Sequence, residues 1–332
     1  YTTKDDASTP AKENAVTIDG KEVIAVGVLK SMAEGRVTLS ELVAELKTIP
    51  EFKDITVENI KTKFNITVES YTGTLSYTED IFGNASLSNV INTYKAYLGG
   101  RIYKVDFAET KLLGSYNIDG SITTQTQSQI LDYTYSVREV TWPDGTKHKG
   151  LALTGAYEDK TKGDKQGQYG IVETKDIFGS STTVTTENIY KQTLIDSYGL
   201  IKVETSTSYI SSSNLVDGST LTQGKANASV VKYNYDESTS PYPTKHGVLT
   251  SATETQHGKV TNTDAFTNYT VTETRNTYII TDNGAPKVST ATTISTPHNL
   301  DSSKGISISK INYTYTTKDD ASTPAKENAV TI

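Results

Sequence analysis

Three short blocks recur along this chain at a fixed internal distance, and they constrain its fold more than any bulk property does. Asp80–Asn84 reads DIFGN, Asp176–Ser180 reads DIFGS and Asp264–Asn268 reads DAFTN. Twelve residues after each Asp stands an N-x-Y block, at Asn92, Asn188 and Asn276. A basic-apolar stretch follows each time (RIYKV from Arg101, LIKVE from Leu200, APKVS from Ala285), then an Asn-led turn (NIDGS from Asn117, NLVDGS from Asn214, HNLDSS from His298) and a Y-x-Y block at Tyr133, Tyr233 and Tyr313. The Gly and Asn-Asp-Gly positions tolerate positive φ, so each copy reads as a meander of about four antiparallel strands. Gly99-Gly100 takes a hairpin position in the first copy. The stretch from Tyr269 shows the strand period: Tyr269, Val271, Glu273 and Arg275 fall on one face and Thr270, Thr272, Thr274 and Asn276 on the other, with Tyr278, Ile279 and Ile280 as a more buried end. Faces this polar bury little apolar area, so a copy gains from stacking on its neighbours.

Composition agrees. Hydrophobic residues make up 35% and there are 21 Tyr; with abundant Thr, this suits half-buried pleated surfaces over thin cores. At 332 residues the chain exceeds the size at which one core keeps growing. The period changes once. Thr38 and Glu41 form a capping box, Leu39, Leu42, Val43 and Leu46 an apolar stripe, and Pro50 ends that helix. A second short helix starts at Thr56 and carries Val57, Ile60 and Phe64 on one face. The expected fold is therefore mainly β, tandem antiparallel β-meander repeats with one small helical insertion, helix being confined to about residues 29–64.

A longer repeat encloses these copies. Tyr1–Ile18 (YTTKDDASTPAKENAVTI) recurs without a change as Tyr315–Ile332, which sets a period of 314 residues. The chain divides into residues 1–28, the end of a β-repeat; the helical insertion 29–67; and β-repeats 68–160, 161–258 and 259–332, the last running into a following unit. Tyr1, Ile18, Tyr315 and Ile332 bound the repeat junction. Continuity predicts one unbroken strand over 311–317, a polar loop around Pro324, and a strand beginning at Ala329 that continues through the equivalents of Asp19 and Gly20. The alternative, a duplicated donor strand, needs a long alternating apolar pattern that Tyr1–Ile18 lacks.

The spacing of D-x-F-G-N, N-T-Y, N-x-D-G-S and Y-x-Y-D resembles the Thr-rich repeats of very large bacterial surface proteins, over roughly Val68 to Tyr315. Tyr235-Asp236-Glu237 is similar to the Y-D signature of YD-repeat shell proteins, although the Gly-Arg element that follows there is missing here. The first resemblance implies a structural role at the cell surface or outside the cell.

The residues point to no catalytic centre. The chain carries no G-x-S-x-G, Walker or dinucleotide motif, and the expectation is a non-enzyme with no cofactor. His148, His246, His257 and His298 lack metal-ligand spacing; His148 and His246 fall in matching Thr-Lys-His turns. The Asp-rich turns read as Asx-type turns in preference to Ca²⁺ sites. A net charge of -7 without a basic block argues against nucleic acid, and the 29–67 insertion reads as a packing element in preference to a helix-turn-helix. No apolar run reaches the roughly 20 residues that span a bilayer. With no Cys, disulfides and thiolate metal sites are excluded. Sequons at Asn65, Asn84, Asn227, Asn268 and Asn312 are candidate glycosylation sites. The expected function is a structural repeat unit of an extracellular filament or giant surface fibre, with copies of itself as partners. The alternative is an adhesin or carbohydrate-binding stalk module in which exposed Tyr side chains such as Tyr242 make the contacts; Trp142 is the single Trp. The constant twelve-residue offset predicts that Asn92, Asn188 and Asn276 pair with backbone near their D-x-F-G turns.

Overall fold

A computed structural model describes residues 15–18, 21–24, 36–79, 83–98, 102–141, 146–157, 168–237, 247–281, 284–315 and 330–331. The chain is mainly β and antiparallel, as its repeats predict. Contacts divide it into two compact units, one of Tyr1–Thr134 with Tyr157–Asp164 and one of Tyr135–Ala156 with Lys165–Ile332.

In the first unit β1 (Ala15–Ile18) and β2 (Lys21–Ile24) form a hairpin in which Ile18 faces Lys21. A strand continuing through residues 19–20 was expected; those two lie outside the described residues, and β1 instead pairs antiparallel with β2. Strand β3 (Arg36–Thr38) leads into helix α1 (Leu39–Leu46), and helix α2 (Val57–Phe64) precedes β4 (Ser70–Thr72), which pairs back onto β3. Both helices start where expected, α1 at the expected Thr38–Glu41 capping box and α2 at a second, unexpected box. Thr38 Oγ1 accepts from the Glu41 amide (3.2 Å) while Glu41 Oε2 accepts from the Thr38 amide (2.8 Å); Thr56 and Asn59 repeat the arrangement at 3.1 and 3.0 Å. A 3-10 turn at Pro50–Phe52 lies between the helices.

The meander of the first copy runs β5 (Thr74–Glu79), β6 (Ala85–Tyr97), β7 (Ile102–Tyr116), after which β8 (Ile122–Gln127) and β9 (Gln129–Thr141) both pair along β7. The apolar stripes of α1 and α2 close over β5 and β6: Leu39, Val43, Leu46, Ile60 and Phe64 share a core with Leu75, Ala85 and Leu87. Each fully buried Leu, Ile or Phe contributes about 1.5–3 kcal/mol, so this insertion supplies the apolar area that the Thr-rich faces lack. Phe64 lies so close to β7 that a Cβ at Gly114 would stand 2.8 Å from its ring.

In the second unit β10 (Lys147–Tyr157) is followed by an antiparallel run of β11 (Gln168–Lys175), β12 (Ser181–Tyr190), β13 (Val203–Asn214), β15 (Ser229–Tyr235) and β16 (Leu249–Gln256). A second sheet has the order β14 (Thr220–Thr222), β17 (Gly258–Thr263), β18 (Tyr269–Ile280), β19 (Pro286–His298), β20 (Ser307–Asn312). All six residues of β20 are exposed.

Several expectations need correction. Helix α3 (Gln192–Tyr198) stands outside the insertion, in the connection between the N-x-Y block and the basic-apolar stretch of the second copy. It forms because Leu194 and Ile195 are fully buried and Gly199, at φ 66°, caps its C-terminus. The end of β18 is not more buried, since Ile279 is 41% exposed; a register shift at Thr277/Tyr278 breaks the alternation there. His148 lies in the exposed first part of β10 and not in a turn. Over 311–317 the strand is interrupted at Tyr313: β21 (Thr314–Tyr315) leaves β20 and pairs with β22 (Val330–Thr331).

Candidate functional sites at the turns, bulges and repeat junction

The recurring blocks carry recurring hydrogen bonds. In the D-x-F-G turns the Asp176 carboxylate accepts from the amides of Phe178 and Ser180, and Asp264 accepts from those of Phe266 and Asn268, all at 2.9 Å. The fourth position takes positive φ in every copy, at Gly83 (88°), Gly179 (94°) and Thr267 (71°). The N-x-D-G turns behave alike: Asp119, Asp217 and Asp301 accept from the amides of Ser121, Ser219 and Ser303 at 2.8–2.9 Å, and Gly120, Gly218 and Ser302 hold φ of 80°, 77° and 65°. Hydrogen bonds from the serine two residues on hold the Asp119, Asp217 and Asp301 carboxyls below their ordinary value. These are the Asx-type turns that the sequence suggests.

The two turns of each copy are tied together by the residue that ends the D-x-F-G block. Asn84 Oδ1 accepts from the Ile118 amide (2.9 Å), Ser180 Oγ from Val216 (3.2 Å) and Asn268 Oδ1 from Leu300 (3.0 Å). This position, not the N-x-Y Asn, does the same work in all three copies. The ties leave apolar tips in solvent: Ile118, Ile177, Phe178, Val216, Phe266 and Leu300 are between 65% and 77% exposed. Residues 80–82, the first copy's equivalent, lie outside the described residues.

The N-x-Y block marks a β-bulge. Register shifts fall at Thr93/Tyr94, Ile189/Tyr190 and Thr277/Tyr278, each leaving one residue of the partner strand unmatched: Asp106, Glu204 and Ser289. The constant twelve-residue offset therefore records a backbone feature. The second Tyr of Y-x-Y secures the bulge in the later copies, Tyr235 Oη donating to the Val203 carbonyl and Tyr315 Oη to Val288, both at 2.7 Å. Burial, and then the neighbouring Tyr233, push the Tyr235 phenol up to about 12. A second bulge occurs in two copies, at Leu87/Ser88 and Thr183/Val184. There a glutamine four residues past the turn serine reaches back: Gln125 Oε1 accepts from the Leu112 amide (2.6 Å) and Gln223 Oε1 from Ile210 (2.8 Å). In the third copy the register runs unbroken through this point and the equivalent residue is Ser307.

Of the N-x-Y asparagines, Asn276 bonds not to its turn but to Glu254, whose side chain is 1% exposed. Glu254 accepts from Ser229 Oγ (2.8 Å), the Asn276 amide (2.6 Å) and Asn276 Nδ2 (3.4 Å), and lies 2.9 Å from His257 Nδ1. A buried carboxylate so fully satisfied joins β16 to β18.

The junction residues are only partly within view. Tyr1 and Ile332 lie outside the described residues, as do Trp142, Tyr242 and His246; Ile18 ends β1, and Tyr315 faces Val330 in the β21–β22 pair. The sequons separate by what holds their side chains. Asn84 and Asn268 are committed to the turn ties. Asn227 donates to the Gln223 carbonyl (3.2 Å), and Ser229 of its sequon is bound to Glu254. Asn65 is exposed in left-handed backbone at the end of α2, and Asn312 is exposed on β20, its Oδ1 accepting from Thr290 (3.1 Å). His148 Nε2 lies 2.9 Å from Thr146 Oγ1, and His298 stacks on Tyr269 with ring centroids 4.5 Å apart. Among the described residues no three His, Cys, Asp or Glu side chains converge to hold a metal, and no helix is long and apolar enough to cross a membrane.

Comparison with family models, with curated proteins and with solved structures finds no match.

Proposed function

We propose that this chain is the structural repeat unit of an extracellular filament or giant surface fibre, its units following one another head to tail with a 314-residue period and performing no catalysis. The observation that carries this reading is the unchanged recurrence of Tyr1–Ile18 at Tyr315–Ile332. The internal copies support it, because turn ties, bulges and tyrosine anchors recur as mechanical fittings at matching positions, whereas a catalytic centre is built once. The open apolar tips offer further contact surface between copies. The denatured native polypeptide should have a mass well above the 36.1 kDa of this chain, and electron micrographs should show filaments. A mass near that of one unit, with isolated particles, overturns the proposal.

A further inference from the structure

We infer that the second β-repeat, with Pro286 of the third closing one side, binds a carboxylated saccharide, a single uronic acid residue or the acidic end of a glycan, in a cleft that the recurring blocks themselves build. The cleft encloses about 500 Å³, within the roughly 300–1,000 Å³ of small-ligand sites. Besides Tyr235, whose hydroxyl is spent on the Val203 carbonyl, four polar side chains line it: Asn188 from the N-x-Y block, Lys202 from the basic-apolar stretch, Ser206 beside Asn188 across the β12–β13 pair, and Tyr233 from Y-x-Y. Among the described residues none of these four side chains has a hydrogen-bond or ion-pair partner. Unpaired polar groups around a cavity are costly unless a ligand or water satisfies them.

Their chemistry selects the ligand. Among the described lining residues Lys202 is the cation, and none of them carries a carboxylate. The nearby Glu204 and Glu237 are both taken by Lys191, at 3.3 and 3.1 Å. An anion is therefore called for. A bare carboxylate would leave the Asn188 amide, two hydroxyls and most of the volume unused, and a neutral sugar would leave the ammonium unpaired. A uronic acid answers all of these: its carboxylate meets Lys202, its ring hydroxyls meet the donor-acceptor pair of Asn188 and the hydroxyls of Ser206 and Tyr233, and its C–H face lies on Val203, Leu249 and Pro286. The hydrogen bond from Tyr235 to Val203 holds one wall in place.

The test is calorimetric titration of the full chain, at low salt, with glucuronate, glucose and acetate separately. Glucuronate should bind at least tenfold more tightly than either of the others. Lys202→Gln should abolish that preference and Asn188→Ala should weaken it, with circular dichroism unchanged. If Lys202→Gln does not fold, Asn188→Asp takes its place, because a carboxylate beside Lys202 competes with the ligand. Glucuronate binding no tighter than glucose or acetate, or a preference untouched by these substitutions, overturns the inference. Neither outcome alters the mass or the micrographs that test the filament.

Discussion

At single positions the third copy departs from the first two, and the departures carry strain. Thr267 and Ser302 occupy left-handed backbone that the other copies give to Gly179 and Gly218. Left-handed backbone costs a residue with a Cβ about 1–2 kcal/mol, and a β-branched residue is least suited to it. Glycine carries its own unfolded-state cost of roughly 0.5–1 kcal/mol. Thr267→Gly and Ser302→Gly should each raise stability by up to about 1 kcal/mol, read as a higher urea midpoint at unchanged slope. The turn carboxylates add a pH dependence. Asp119, Asp217 and Asp301 have folded values below their unfolded ones, so their contribution is full above the unfolded value of about 3.9 and is lost as pH falls through the folded value. Exchange protection of the Ser121, Ser219 and Ser303 amides should therefore fall below about pH 4, ahead of the α1–α2 core.

Within elements, the bulges show which parts of the fold the sequence displays and which it hides. The capping box at Thr38, the helix start at Thr56, the strand at Tyr269–Ile280 and the turn glycines are local, and each is legible from a few neighbouring letters. The twelve-residue offset is equally plain, but its meaning is not: the spacing belongs to a backbone irregularity, and the Asn beside it does different things at 188 and 276. Helix α3 is seven residues long, too short to establish a 3.6 period, and is defined by burial of Leu194 and Ile195. The glutamine ties join residues on different strands, and nothing near Gln223 in the sequence indicates Ile210. That pairing is testable. Gln223→Ala leaves the Ile210 amide without its acceptor and should cost about 1–3 kcal/mol, and Gln125→Ala should do the same at Leu112. Ser307→Ala, at the position without a bulge, should be neutral within roughly 0.5 kcal/mol.

Across the molecule, burial is concentrated unevenly. Eight residues around α1 and α2 form the one extended apolar cluster among the described residues, while the second unit buries scattered apolar residues such as Tyr190, Leu194, Ile195 and Val231 together with small or polar groups such as Ala156, Thr185, Ala228 and Glu254. The sheet that ends in β20 has a further consequence, for behaviour in concentrated solution. Among the described residues no strand pairs with the outer side of β20, where Ile308 is 64% exposed and Lys310 is the only charge between Ser307 and Asn312. An open row of amides and carbonyls beside apolar side chains is a template for further strands, and a lysine on such an edge acts as a gatekeeper against it. Lys310→Thr should shorten the lag before turbidity in quiescent concentrated solution, and Ile308→Lys should lengthen it, with both variants keeping the parent's circular dichroism when dilute. One side chain on an exposed edge thereby sets the boundary between ordered assembly and precipitation.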